Sequence, residues 1–237
     1  MTTCSLGLPF MFWKARREQE AVPLKTVVVT VCSRDKNKGG QQQSVSAQRL
    51  AWVVDPRSRA QPEIERLVPD VIRERLFRPA YVRYAGPIYR EISPLLQSLQ
   101  ESSDLEFLIA SGYYGIMDCR EPIWNYELDL KKTSQVIDIW NNVRLGALLK
   151  KYLDEDLGGH QRLFVLTSDY RLMLSGGVAD GLTVRPIDWR ASSAQEQMQF
   201  YGQALAHLTS SRLIYEPLAN IPSQQTRMGV RFQLTPV

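Results

Sequence analysis

The chain has 237 residues, of which 44% are hydrophobic and 23% charged, a composition typical of a single globular domain with a full core. Its formal net charge of +4 permits a polyanionic partner without requiring one. Three unpaired cysteines and two isolated histidines argue against a disulfide framework and against a zinc site, so we predict no metal and no cofactor, with only a carboxylate-held metal left open.

The N-terminal residues 1–25 are expected to form an arm outside the main domain. Residues 6–13 are apolar and residues 14–17 are basic, which reverses the order found in a secretory signal. Eight apolar residues are also too few to span a bilayer. We therefore predict no transmembrane segment and a cytoplasmic location. The arm is expected to pack on the domain as an extra strand, with docking to a membrane surface or to a protein partner as the alternative.

The first half of the chain predicts strands and helices in alternation. A β-branched run at 27–31 predicts a buried strand. Apolar residues at helical spacing predict a helix over 64–76, kinked or divided at Pro69, and another over 88–99, kinked at Pro94. A second apolar run at 105–110 predicts the next strand.

The second half continues the alternation, and together they predict an α/β fold. Periodicity predicts a helix over 134–153, a strand at 163–166, a short helix from Ser168, a strand near 182–187 and a helix over 193–208. Strands separated by helices imply a mostly parallel sheet flanked by helices on both faces. We predict one α/β domain over 26–210 and a C-terminal tail, 211–237, that packs on it. The segment 39–44 and the chain after Pro217 are expected to be irregular.

Polar and glycine residues follow three of the predicted strands. They lie at 32–36, at 111–115 and at 167–170. In open α/β sheets, ligands bind in the crevice outside the carboxyl ends of the strands. The three junctions therefore predict one shared crevice.

The first junction, 32–36, has the residues of a phosphate site. Ser33 and Lys36 can project from one turn, and the backbone N–H groups of a loop that leaves a strand can bind an anion. Lys36 or Lys38 would serve as a base or Schiff-base nucleophile if burial lowered its pKa. The alternative is a solvated loop.

The second junction suits a base or a sugar. Gly112 and Gly115 permit close backbone approach, and Tyr113 and Tyr114 offer a flat ring and a hydroxyl. The alternative is that one tyrosine packs on the sheet edge.

Carboxylates lie close to these junctions in sequence. Asp118 and Glu121 follow the second junction and could act as general acid or base, or cap a surface turn instead. No Walker motif, dinucleotide-binding glycine fingerprint, GxSxG elbow or HExxH motif occurs. The commonest phosphate, dinucleotide, hydrolase and metalloprotease classes therefore lose support.

Five motifs in order, over about residues 26–208, resemble the YaaA-type peroxide-stress proteins. They are Ser33-x-x-Lys36, Ser111-Gly112-x-Tyr114-Gly115, Tyr126-x-Leu128, Trp140-Asn141 and Ser168-Asp169. The segment Tyr84-x-Gly86-Pro87-Ile88-Tyr89-Arg90 is similar to a related bacterial and phage domain family with Ser-Ala-Lys-Tyr-Gly motifs. Arg34-Asp35 departs from the Pro-Ala of the YaaA pattern, and Trp124-Asn125 departs from its Gln-Pro. The resemblance implies a mixed α/β domain with a basic cleft, DNA binding and a role in protecting DNA during peroxide stress.

The residues predict a protein that holds DNA or a nucleotide in a basic crevice, and the resemblance implies a role in stress response or defence, in which the protein either only binds this ligand or acts on the base or the glycosidic bond. The predicted catalytic residues are Lys36, Asp118 and Asp169. The predicted substrate-binding residues are Cys32, Ser33, Ser111, Gly112, Tyr113, Tyr114, Gly115, Tyr126 and Ser168. The predicted nucleic-acid contacts are Arg83, Arg90, Lys131, Lys132 and Arg171. The alternatives are an enzyme on free nucleotides or nucleosides and a non-catalytic interaction module.

Overall fold

The computed structural model describes residues 25–42, 50–98, 105–211 and 217–237. The predicted N-terminal arm lies outside the described residues apart from Lys25, so its packing stays a prediction. No helix in the described ranges is long and apolar enough to cross a membrane.

Two sheets form from the strands of the described segments. The strands are β1 (Thr26–Val31), β2 (Ile72–Pro79), β3 (Leu105–Ser111), β4 (Gly115–Asp118), β5 (Pro122–Tyr126), β6 (Gln161–Val165), β7 (Leu182–Pro186), β8 (Gln224–Gln225) and β9 (Arg231–Pro236). The larger sheet has the order β4-β3-β1-β6-β7-β9-β8, and β2 and β5 form a separate antiparallel pair.

The centre of the larger sheet is parallel. β1 pairs in parallel with β3 on one side and with β6 on the other, and β6 pairs in parallel with β7. All six residues of β1 are buried, because the strand has neighbours on both sides and helices over both faces. Antiparallel strands flank the parallel centre, namely β4 at one edge and β9 with β8 at the other. The predicted α/β class with a sheet flanked by helices is confirmed, and the sheet is mixed, because three of its six strand pairings are antiparallel.

Seven helices accompany these strands in the described segments. They are α1 (Val54–Leu67), α2 (Ala80–Arg83), α3 (Pro87–Ser98), α4 (Gln135–Asn142), α5 (Leu145–Glu155), α6 (Ser168–Met173) and α7 (Ala194–Ser211). α3 packs closely on α7, because Gly202 has no side chain where a Cβ would lie 2.9 Å from the Cα of Ile88. This contact places the first turn of α3 against the middle of α7.

The prediction of a helix over 64–76 was wrong in its second half. α1 ends at Leu67, and the chain re-enters as β2 after a turn at Pro69 and Asp70. β2 pairs with β5, about fifty residues later in the chain. For a short amphipathic segment, pairing with a distant strand decides between helix and strand. The local sequence pattern carries no information about that pairing.

Two other predicted elements also differ from the structure. The helix expected over 134–153 is divided into α4 and α5 at Arg144, whose φ of 60° is left-handed. The chain after Pro217, expected to be irregular, contributes β8 and β9 to the main sheet. Phe232 in β9 is buried, so the C-terminal segment is part of the core.

Candidate functional site at the carboxyl edge of the sheet

The three strand-end junctions lie at one edge of the main sheet. Val31 pairs with Ala110 and Thr30 with Val165 in parallel register, so the residues after each strand emerge side by side. The amide of Cys32 donates to the carbonyl of Ala110 at 2.7 Å and extends this pairing by one residue. The predicted common edge is therefore confirmed.

A cavity of about 400 Å³ opens beside the first junction. Cys32, Ser33, Arg34 and Asp35 line it from the turn after β1, while the first turns of α3 and α7 line its other side. A Cβ on Gly86 would lie 2.0 Å from the Ser33 Oγ, so this position needs a residue without a side chain. The sequence Gly86-Pro87 therefore lets helix α3 begin directly against the Ser33 hydroxyl.

The first turns of α3 and α7 give this cavity groups that bind anions. Ile88 and Tyr89 of α3, and Ala194 and Gln195 of α7, line the cavity at helix starts, where backbone N–H groups have no partner within the helix. Two helix N-termini and the guanidinium of Arg34 favour a negatively charged ligand. Asp35 is exposed at the rim of the same cavity.

Cys32 and Tyr170 connect the first junction with the third. The Cys32 Sγ lies 2.9 Å from the Tyr170 hydroxyl, which is presented by the short helix α6. Burial, together with the neighbouring Cys32, raises the pKa of Tyr170 well above its ordinary value. Tyr170 therefore keeps its proton to higher pH than an exposed tyrosine does, and its hydroxyl holds the Cys32 thiol in place.

Lys36 is partly buried, which does not fit the alternative of a solvated loop. Its Nζ lies 4.2 Å from the centre of the Tyr126 ring and 5.7 Å from that of Tyr84, and it donates to the carbonyl of Arg34 at 3.2 Å. Among the described residues, no carboxylate forms an ion pair with it. Burial lowers the pKa of Lys36, and the neighbouring Cys32 and carboxylates offset this lowering only in part. Such a shift favours the neutral amine that a lysine base or nucleophile uses, but Lys36 does not itself line the cavity.

Beneath Lys36, three buried hydroxyls form a chain. The Ser111 Oγ lies 2.6 Å from the Tyr126 hydroxyl, which lies 2.8 Å from the Tyr84 hydroxyl. Burial raises the pKa of both tyrosines well above the ordinary value. The Ser111 Oγ also accepts from the amides of Tyr113 and Tyr114 at 3.2 and 3.1 Å. Ser111 and Tyr126 therefore support Lys36 from below and do not line the cavity.

Tyr113 and Tyr114 do not present a face to a ligand. They are 1% and 7% exposed, and their rings pack edge to face with centres 4.9 Å apart. The Tyr113 hydroxyl donates to Glu65, and the Tyr114 hydroxyl accepts from the amide of Trp124 at 2.9 Å. Their burial does not fit the predicted stacking on a base.

The two glycines of the same turn serve packing. A Cβ on Gly112 would lie 2.8 Å from the Leu128 side chain, and one on Gly115, whose φ is 72°, would lie 2.9 Å from the Trp140 ring. The Trp140 indole donates to the carbonyl of Gly112 at 2.7 Å. Their predicted contact with substrate is therefore replaced by contact with Trp140 and Leu128.

The predicted acids lie in different places. Asp118 pairs with Leu108 in the middle of β3. Leu108 is three residues before Ser111, so Asp118 lies about 10 Å from the carboxyl edge along the strand direction. It is buried and accepts from the Arg120 guanidinium at 2.6 and 2.8 Å, so its position does not fit catalysis at the crevice. Asp169 lies in the first turn of α6 next to exposed Ser168, at the edge where the junctions meet.

The predicted nucleic-acid contacts also differ in exposure. Arg83 is fully buried, and its guanidinium donates to the carbonyls of Asn37 and Leu76, which does not fit a phosphate contact. Arg171 is partly buried and donates to Leu166 and Thr183. The exposed cations of the predicted set are Arg90, Lys131 and Lys132.

Several residues at the crevice were not singled out from the sequence. Arg34 lines the cavity, Tyr170 contacts Cys32, and Gly86 contacts Ser33. The signal for Gly86 was its place in the Tyr84-x-Gly86-Pro87 motif before a helix, and that for Tyr170 was its place in the third junction. Nothing in the local sequence marks Arg34 more than the chain's other arginines.

Comparisons with known proteins leave the family open. No family model matches the chain, and no curated protein matches it. Within the described ranges, no group of three or more histidine, cysteine, aspartate or glutamate side chains is placed to hold a metal ion.

Proposed function

We propose that this protein binds DNA by holding one nucleotide in the crevice beside the Cys32–Lys36 turn. The observation that carries the proposal is the cavity of about 400 Å³ at the carboxyl edge, where Arg34 and the first turns of two helices converge. Its volume is within the range of small-molecule sites, and its lining combines phosphate-binding groups with the polar side chains of Cys32 and Ser33.

The geometry supports separate roles for the two sides of the cavity. A phosphate is held by Arg34 and by the backbone N–H groups at the starts of α3 and α7. The Ser33 hydroxyl, fixed against Gly86, and the Cys32 thiol, fixed against Tyr170, contact the sugar or base. Exposed Lys131, Lys132 and Arg90 contact phosphates further along a strand.

The proposal includes chemistry at Lys36. An amine whose pKa is lowered by burial is a better base and nucleophile at neutral pH than an exposed lysine. Asp169 is the predicted acid that shares the edge with it. Action on the base or on the glycosidic bond, in stress response or defence, rests on the resemblance to YaaA-type proteins.

Salt dependence of binding tests this proposal against an enzyme for free nucleotides. Fluorescence anisotropy with a labelled oligonucleotide should give an affinity that falls steeply with salt, because neutralised phosphates release counterions. Arg34→Gln should reduce the magnitude of the slope of log affinity against log salt by roughly 0.7 to 0.9, which is the contribution of one phosphate contact. Lys151→Gln, in α5 and paired with Glu155, is the matched control and should leave the slope unchanged.

The outcomes separate the hypotheses. Binding of a mononucleotide together with salt-independent, weak binding of the oligonucleotide would favour the free-nucleotide enzyme. Equal effects of the Arg34 and Lys151 variants would show that charge alone drives binding. If neither the oligonucleotide nor the mononucleotide binds, the non-catalytic interaction module is favoured.

A further inference from the structure

We infer that a second cavity, beside Trp189, binds the base of the adjacent nucleotide, so that the ligand of this protein is single-stranded DNA. The inference rests on the proposed function and names its substrate more narrowly. The second cavity has a volume of about 510 Å³ and is lined by the aromatic side chains of Trp189 and Tyr201 and by Lys131 and Arg190.

The two cavities are neighbours at the start of α7. Ala194 lines both of them, so a ligand held by the first turn of α7 in one cavity extends directly into the other. Lys131 and Arg190 are both exposed, and no carboxylate is among the described residues that line the second cavity. The Glu196 carboxylate accepts from the amide and the hydroxyl of Ser192, both at 2.6 Å, so the cavity has two cations in its wall and one carboxylate beside it, and this balance suits the backbone of a strand that passes from one cavity to the next.

The position of Trp189 is fixed by the residues around it. Asp188 follows β7 with a left-handed φ of 53° and turns the chain, and its carboxylate pairs with Arg231 at 3.3 Å. The Trp189 ring lies 5.2 Å from the Phe200 ring at an angle of 38°, and Phe200 is fully buried. A partly exposed indole supported by a buried ring is a rigid platform for a base.

This platform explains why one strand is preferred. Bases in a duplex are stacked and paired, so their faces are not accessible to an aromatic side chain. A single strand presents every base face, and stacking on an aromatic ring is tolerant of sequence. Tyr113 and Tyr114 are buried, so among these aromatic groups Trp189 and Tyr201 offer the accessible surface.

The test compares a thymidine decanucleotide, its duplex with a deoxyadenosine decanucleotide, and thymidine 5′-monophosphate as ligands of wild type and variants. Trp189→Leu keeps apolar bulk against Phe200 and loses the base-stacking ring. It should weaken decanucleotide binding at least about fivefold, from the usual cost of losing one base stack, and leave monophosphate binding unchanged. Trp189→Phe should recover part of the loss. The matched control is Trp52→Leu, whose ring stacks on Tyr152 with centres 5.3 Å apart and lines neither cavity.

The result expected is tighter binding of the single strand than of the duplex, with a loss specific to Trp189→Leu. Equal binding of the single strand and the duplex overturns the inference. So does a decanucleotide affinity that Trp189→Leu leaves unchanged. In both cases Arg34→Gln still tests the first cavity. An equal loss for the monophosphate and the decanucleotide also overturns it, because Trp189 would then act through the first cavity. Absence of binding to any of the three ligands overturns the proposed function and the inference together.

Discussion

The turn after β1 and the turn after β3 begin at the same edge of the sheet, yet they have opposite environments. Cys32 to Asp35 of the first turn line an open cavity, whereas Lys36 packs on the Tyr126 ring and Ser111, Tyr113 and Tyr114 of the second turn are buried. Both were predicted as ligand sites from the same kind of sequence. What differs is the structure that lies over each turn.

The second turn is covered because a buried ion pair holds the neighbouring elements over it. Arg57 of α1 and Glu121, which precedes β5, have side chains 3% and 2% exposed and form an ion pair. The Arg57 guanidinium also donates to the carbonyls of Tyr114 and Ile116 at 2.9 and 3.0 Å. Within the described part of the chain no ion pair covers Ser33, whose Oγ lies against Gly86, where a Cβ would be 2.0 Å away. A polar turn at a strand end becomes a site only where the chain leaves it open.

The largest expected effect comes from breaking the cover of the second turn. Arg57→Met should lower the free energy of unfolding by about 3 to 5 kcal/mol at pH 7, because it leaves Glu121 charged, buried and unpaired. Burial already raises the pKa of Glu121, and Arg57 opposes this, so the variant should raise it further.

The pH dependence of that loss gives a sharper check. A carboxyl whose pKa is raised in the folded state favours folding below its unfolded pKa of 4.5, and this stability is lost as pH rises through the folded value. Denaturant unfolding should therefore show Arg57→Met recovering part of its stability as pH falls towards about 5. A deficit independent of pH would contradict this account, and adding Glu121→Gln to Arg57→Met should abolish the recovery at low pH, because the residue that titrates is then absent.

Ser111→Ala should have the next largest effect. The Ser111 Oγ accepts from two buried amides and contacts the Tyr126 hydroxyl, so its removal leaves buried donors unsatisfied, at a cost of about 1 to 3 kcal/mol. Thermal and denaturant unfolding measure this loss. Nucleotide affinity of the folded variant should change less than in Ser33→Ala. The reverse ranking would show that the second turn is itself the ligand site.

Lys36→Met should change stability by about 1 kcal/mol or less at pH 7, because it loses the contact of an ammonium with the Tyr126 ring and also the cost of burying that charge. A lysine with a lowered folded pKa contributes stability above its unfolded value of 10.5 that is lost as pH falls through the folded value. Relative to Lys36→Met, the wild type should therefore gain stability as pH rises towards 10.5. NMR titration of ¹³C-methylated lysines should show one amine whose pKa is lower than that of the other lysines, and this signal should be absent from the variant. If every lysine titrates in the ordinary range, the burial of Lys36 is contradicted.

Ser33→Ala should have the smallest effect on stability, within about 0.5 kcal/mol, because the hydroxyl lies at an open cavity. It should nonetheless weaken nucleotide binding by the value of one hydrogen bond, about 0.5 to 1.5 kcal/mol. Gly86→Ala should cause a similar loss, because its Cβ would displace the Ser33 Oγ, and calorimetric titration compares the two. Additive losses in the double variant would show that Gly86 acts by another route.

The four central strands of the main sheet could be predicted from the sequence, whereas the antiparallel strands could not. The valine-rich run of β1 and the apolar run of β3 have few local alternatives, since short β-branched segments between turns form buried strands. The segment 72–79 was wrongly predicted as helix because β2 depends on pairing with β5. The chain after Pro217 was expected to be irregular, and antiparallel pairing with β7 gives β9 its place in the sheet.

The sequence by itself determined that Cys32, Ser111 and Ser168 would meet at one edge, because the direction of parallel strands follows from their order with intervening helices. Only the tertiary structure decided which of them a ligand can reach. Burial of Tyr113, Arg83 and Asp118, and the partial burial of Lys36, depend on elements far away in the chain that pack over them. Solvent exposure is a property of that packing, and a residue's type and its neighbours in sequence do not specify it.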